Sequence, residues 1–80
     1  MRIVLSNHAI LQAQKRHITI EQITDCILRP DQVSDEPQGK KCYKKLQDGR
    51  YLLLCYTVQQ DSTIKVITTI LTSKISKYLT

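Results

Sequence analysis

The sequence predicts an α+β fold in which two N-terminal helices pack on a three- to four-stranded antiparallel sheet. Three observations predict it. Helical caps and helical apolar spacing are confined to the segment from Ser6 to Pro30. Apolar and β-branched runs broken by polar turns fill the remainder, and Asp48-Gly49 stands between two of them as a hairpin turn. Helices first and hairpins afterwards define the α+β class.

Taken in order, Arg2 to Leu5 is β-branched in its middle and reads as an edge strand or an ordered arm. Ser6 is an N-cap for a helix over residues 7 to 16. Ala9, Ala13 and Arg16 share one face of it, with Ile10 beside Ala13. That apolar stripe is thin, so packing rather than intrinsic propensity must hold this helix. Arg16, His17 and Ile18 form the turn. Thr19 with Gln22 three residues later is a capping box, and Glu21 lies in the first turn of a second helix. Ile20, Ile23, Ile27 and Leu28 recur at helical spacing and predict its buried face, bordered by Cys26. Arg29 complements its C-terminal end and Pro30 stops it.

Beyond Pro30, a short strand is predicted around Gln32 and Val33, before Pro37 and Gly39 turn the backbone. Lys41 to Leu46 reads as a strand with mixed faces, followed by the turn Gln47-Asp48-Gly49-Arg50. Tyr51 to Val58 is apolar on both parities, which predicts a central strand. Gln59 to Ser62 is a polar turn, and Thr63 to Leu71 is β-branched.

Eighty residues make one small domain, 1–80, with no linker, repeat or low-complexity segment. Lys and Arg number 12 against 7 Asp and Glu, a formal net charge of +5. Five of the acids (Glu21, Asp25, Asp31, Asp35 and Glu36) gather around the second helix and its exit, whereas most cations lie in the later half. Such a field steers association with nucleic acid or an acidic protein, the plainer alternative being solubilising lysine. Cys26, Cys42 and Cys55 form no CxxC pair; with an odd count and no signal stretch they fit a reducing cytoplasm. No run approaches the roughly 20 apolar residues of a membrane helix. Two histidines nine apart, without cysteine or carboxylate at ligand spacing, give no metal site. With glycine only at 39 and 49 there is no phosphate loop, and no cofactor is indicated.

Ser6-x-His8-Ala9, Arg16-x-Ile18-Thr19, Ile23, Pro30 and the Gly49 hairpin, with Val66-Ile67-Thr68 and Ser73-Lys74-x-x-Lys77-Tyr78, resemble the DUF4258 domain family. The resemblance runs from Val4 to Tyr78. It implies kinship with the RelE/ParE-type toxin fold, whose members include messenger-RNA endonucleases and toxins that act on gyrase without cleaving RNA. It also implies an acidic antitoxin as partner. Two positions depart from the pattern. Gln12 replaces a basic residue that usually follows the histidine by four positions, removing a charge beside His8 and Arg16. His17 occupies a position usually held by glycine.

Metal-free RNA cleavage needs a base for the 2′-hydroxyl, a cation for the phosphorane and an acid for the departing oxygen. The candidates are His8, Arg16, Arg50 and Tyr78. Arg50 follows a tight turn and its fork suits a phosphate, unless it pairs with Asp48. Tyr78 is a proton donor or a stacking surface, unless it merely clips the tail to the domain. His8 is a base or acceptor, unless it packs the first helix. Lys41, Lys44, Lys45, Lys74 and Lys77 suit phosphate contacts that position rather than specify. The expected function is therefore that of a toxin-like RNA-binding protein, extending to a metal-independent endonuclease of RelE type. The alternatives are a non-catalytic module for nucleic acid or an acidic protein, and a small structural protein. Monomer and homodimer both remain open.

Overall fold

The computed structural model describes residues 2–79. Strand β1 (Arg2–Leu5) is followed by helices α1 (Asn7–Arg16) and α2 (Ile20–Leu28). Strands β2 (Gln32–Glu36), β3 (Gly39–Leu46), β4 (Tyr51–Gln60) and β5 (Thr63–Thr72) come next, and a short helix α3 (Ile75–Tyr78) ends the chain. The sheet order is β1-β5-β4-β3-β2. It has five strands and is mixed, not the three- to four-stranded antiparallel sheet expected. The antiparallel meander β2 to β5 is as predicted, but β1 lies parallel to β5, with Arg2 opposite Thr63 and Leu5 opposite Val66. Nothing local in Arg2–Leu5 encodes that partner, because parallel pairing is made only by distant chain. Among the described residues no helix is long and apolar enough to cross a membrane.

Both long helices begin where their caps place them. The Ser6 hydroxyl accepts from the Ala9 N–H at 3.1 Å and donates to the Ile67 carbonyl at 2.8 Å. Ile67 is the extra residue of a β-bulge: Tyr56 faces Thr68 and Thr57 faces Val66, which leaves Ile67 unpaired. The bulge frees a carbonyl, and the helix cap takes it. At the other end His17 closes α1 in the left-handed conformation, φ 56° and ψ 38°. A side chain is disfavoured in that conformation, which glycine adopts more readily. In α2 the Thr19 hydroxyl accepts from the Gln22 N–H while the Gln22 carboxamide accepts from the Thr19 N–H.

The helices lie on one face of the sheet, α1 over β5 and β1, α2 over β3 and β4. Between them and the sheet are Ala9, Ala13, Ile18, Ile23, Cys26, Cys42, Leu53, Cys55 and Val66. The buried face of α2 is narrower than predicted. Ile23 and Cys26 are fully covered, but Ile20 and Leu28 are 59% and 53% exposed. Nine residues make only two and a half turns, so the terminal apolar positions overhang the sheet. Ile18, in the turn, fills the space instead.

Strand β4 is central, as its two-sided apolar pattern predicted, but it is covered on both faces and not only on the helix side. On the second face Tyr43, Leu52 and Leu54 are buried, with Ile75, Tyr78 and Leu79 of the C-terminal segment packed against them. The face opposite the helices is therefore not wholly free. Gly39 is the first residue of β3, directly after the turn at Pro37 and Gln38. A Cβ there would meet the Thr57 carbonyl oxygen at 2.0 Å, so glycine is what lets the two backbones approach.

Candidate functional site

The four-residue turn joining β3 to β4 fixes the register, and the register decides which way every lysine points. Gln47, Asp48 and Gly49 all have positive φ, and the Gly49 and Arg50 N–H groups donate to the carbonyls of Leu46 and Gln47. Counting back from the turn, Lys45 stands opposite Leu52, which in turn stands opposite Thr72. These three share the face that α3 covers. Lys44 stands opposite Leu53 and points to the helix side.

That alternation divides the predicted cations. Lys44 donates to the Arg29 carbonyl at 2.7 Å and lies 3.6 Å from Asp25, where it neutralises the C-terminal end of α2. Asp25 also accepts from Arg29 at 2.6 Å. The Arg29 hydrogen bond is the main reason, with Lys44 beyond it, that this carboxyl titrates below its usual range. Lys41 pairs with Glu36 at 3.2 Å, a contact that holds its ammonium group above the usual lysine range. It stands four residues from Lys45, about 13 Å along the strand.

Lys45, Arg50, Lys74 and Lys77 are exposed, and no carboxylate pairs with any of them among the described residues. Arg50 does not pair with Asp48. All four gather at one end of the sheet, where β3 finishes, β4 starts and β5 runs into α3. The Thr72 hydroxyl accepts from the Lys74 N–H at 3.1 Å and the Lys74 carbonyl accepts from the Lys77 N–H at 3.2 Å, which shapes the turn into α3. Tyr78 is half-buried against Tyr43, Leu52 and Leu54, and the Lys77 Nζ lies 5.7 Å from the centre of its ring. Tyr78 thus clips the tail and borders the cationic corner at once.

His8 and Arg16 are elsewhere. Both are exposed on α1, eight residues or about 12 Å apart along the helix, on the opposite side of the sheet from Tyr78. The four residues considered for cleavage therefore do not form one constellation. Arg50 and Tyr78 share an end with Lys45, Lys74 and Lys77; His8 and Arg16 stay with the helices.

The thiols offer no alternative chemistry. Cys26, Cys42 and Cys55 are free and buried on the helix face. Cys26 Sγ donates toward the carbonyls of Cys42 at 3.3 Å and Leu53 at 3.6 Å. The Cys55 thiol beside it, and then burial, push the Cys26 thiol up; burial does the same to Cys42. Such thiols are poor nucleophiles near neutrality.

Sequence reasoning missed the apolar platform of Tyr43, Leu52 and Leu54 that seats α3. Adjacent lysines on a strand cannot all point one way, but their adjacency leaves open which of each pair faces the helices. The parity of residues counted from Gly49 carried that signal.

The family described as "Domain of unknown function (DUF4258)" matches residues 5–71. No curated protein and no solved structure matches the chain. The chain belongs to the DUF4258 family.

Proposed function

We propose that this DUF4258 chain is a toxin-like RNA-binding protein that takes the phosphodiester backbone at the corner between the β3–β4 turn and α3. One observation carries the reading: Lys45, Arg50, Lys74 and Lys77 meet at one end of the sheet, and among the described residues none has a carboxylate partner. Unpaired ammonium and guanidinium groups bind polyanions by releasing counterions, and the guanidinium fork matches a phosphate. The ring beside these cations is that of Tyr78, under the Lys77 ammonium, whereas Tyr51 lies by register on the helix face with Leu46 and Leu53. An acidic antitoxin would compete for the same four cations.

Fluorescence anisotropy with single-stranded RNA tests this. Four phosphate contacts give a log–log salt slope of about −3, and Arg50→Ala or Lys45→Ala flattens it by about 0.7 each. Lys65→Ala is the control, since Lys65 is exposed but lies seven residues from Thr72, about 23 Å along β5. Binding that ignores salt, or that responds equally to Lys65→Ala, rejects the corner.

Cleavage is the second reading, favoured by the ammonium of Lys77 over the Tyr78 ring. There the 2′-oxygen would attack phosphorus and lose its proton to bulk water, Arg50 would stabilise the phosphorane, and Tyr78 would protonate the leaving 5′-oxygen as the cyclic phosphate forms, without His8 or Arg16. Defined RNA and translating ribosomes, incubated with the protein in chelator, give cut products that Tyr78→Phe abolishes. Intact RNA in both assays leaves binding alone.

A further inference from the structure

The helix face holds a cavity of about 300 Å³ at the end of the sheet away from the cationic corner. Ile27, from the last turn of α2, forms one wall, and Val33 and Ile64 form others. Cys42 and Thr57 line its inner part, both buried. Thr57 keeps its hydroxyl occupied by donating to the Lys40 carbonyl at 3.3 Å. Gly39 contributes backbone alone, because the Thr57 carbonyl leaves no room for a side chain there. The inner walls thus present a buried thiol, aliphatic groups and a hydroxyl already committed to a backbone carbonyl.

The polar groups at this cavity are Lys40, Gln38 and Gln59. Lys40 stands opposite Thr57 in register, so it faces the cavity side, and no carboxylate pairs with it among the described residues. Asp35, its cross-strand neighbour on β2, is not bridged to it. One ammonium with a carboxylate nearby suits a single negative charge and opposes a doubly charged phosphate. The Gln38 carboxamide, and the N–H of Gln59 that is not donated to the Asp61 carbonyl at 3.4 Å, add donors for the second oxygen of a carboxylate. The volume accommodates about ten water-sized groups.

We propose that this cavity binds a small amphiphilic carboxylate, its aliphatic body against Ile27, Val33 and Ile64 and its carboxylate at Lys40 between Gln38 and Gln59. The site is independent of the RNA-binding corner, being on the other face and at the other end of the sheet. An aliphatic cup with few convergent polar groups is the usual form of a small-ligand site.

The test is an amide chemical-shift titration of the full chain with octanoate, octanamide and octylamine. Octanoate is expected to saturate and to shift residues 38–42, 57–59 and 27 together. Octanamide should bind about three- to tenfold more weakly, as should octanoate to Lys40→Met. Val33→Trp should abolish saturation; because Val33 is 43% exposed, the fold survives, as an unchanged spectrum elsewhere verifies. Equal binding of octanoate and octylamine overturns the proposal, as do shifts centred on Ile10 and Leu11, preferential binding of a nucleoside monophosphate, or no saturation at millimolar octanoate. RNA affinity measured in parallel does not change when octanoate is bound, so the two sites fail or stand separately.

Discussion

On the helix face, Leu53, Cys55 and Val66 lie beneath two helices whose first turns are capped by side chains. On the other face, Leu52 and Leu54 are sheltered by a four-residue helix without a side-chain cap. Both sets of side chains are buried, yet their covers differ in kind. One cover is built of interlocked elements tied into the sheet by hydrogen bonds. The other is a clip held by Ile75, Tyr78 and Leu79. The difference teaches that the cationic corner is attached to the less anchored side, where a partner can reshape it at small cost.

The sharpest way to break the contrast is Leu53→Ala. The side chain is fully buried under α2, and its loss should lower unfolding free energy by about 3 kcal/mol, enough to unfold much of so small a domain. Urea denaturation followed by circular dichroism measures it. Ser6→Ala comes next, at about 2 kcal/mol, because one hydroxyl serves both the α1 cap and the bulge carbonyl of Ile67. A loss of a few tenths would show that the bulge and helix are not coupled. Tyr78→Ala should cost about 1 kcal/mol globally while amide exchange accelerates selectively in residues 73–79. If exchange quickened equally beneath α1, the two covers would be one cooperative unit. Replacing His17 by glycine should add about 1 kcal/mol by relieving its left-handed backbone.

The smallest effect is electrostatic. Asp25 is held below its ordinary value of 3.8 by Arg29 and then Lys44. A depressed folded value means the contribution is present above 3.8 and fades as pH falls through the folded value. Asp25→Asn should therefore lower the neutral plateau slightly and leave stability below the folded value unchanged, which flattens the acid limb.

What was legible in the sequence is what neighbouring residues decide. Ser6, the Thr19–Gln22 box, Pro30 and the Asp48-Gly49 turn each act within a few positions, and each sits where it was placed. The two-sided apolar pattern of Tyr51 to Val58 likewise gave a central strand. What was not legible depends on residues far apart. The parallel pairing of β1, the Ile67 bulge and the overhang of Ile20 and Leu28 follow from how elements meet. The candidate site divides the same way. Its residue types were evident, but the sheet that separates His8 and Arg16 from Arg50 and Tyr78 is a product of topology.

The parallel seam between β1 and β5 joins Arg2 to Thr63 and Ser6 to Val66 and Ile67. During synthesis β1 therefore stays unmated until β5 has been made. Sheet closure at that edge comes late in folding, and the species that lacks it is the form most open to chaperones and proteases.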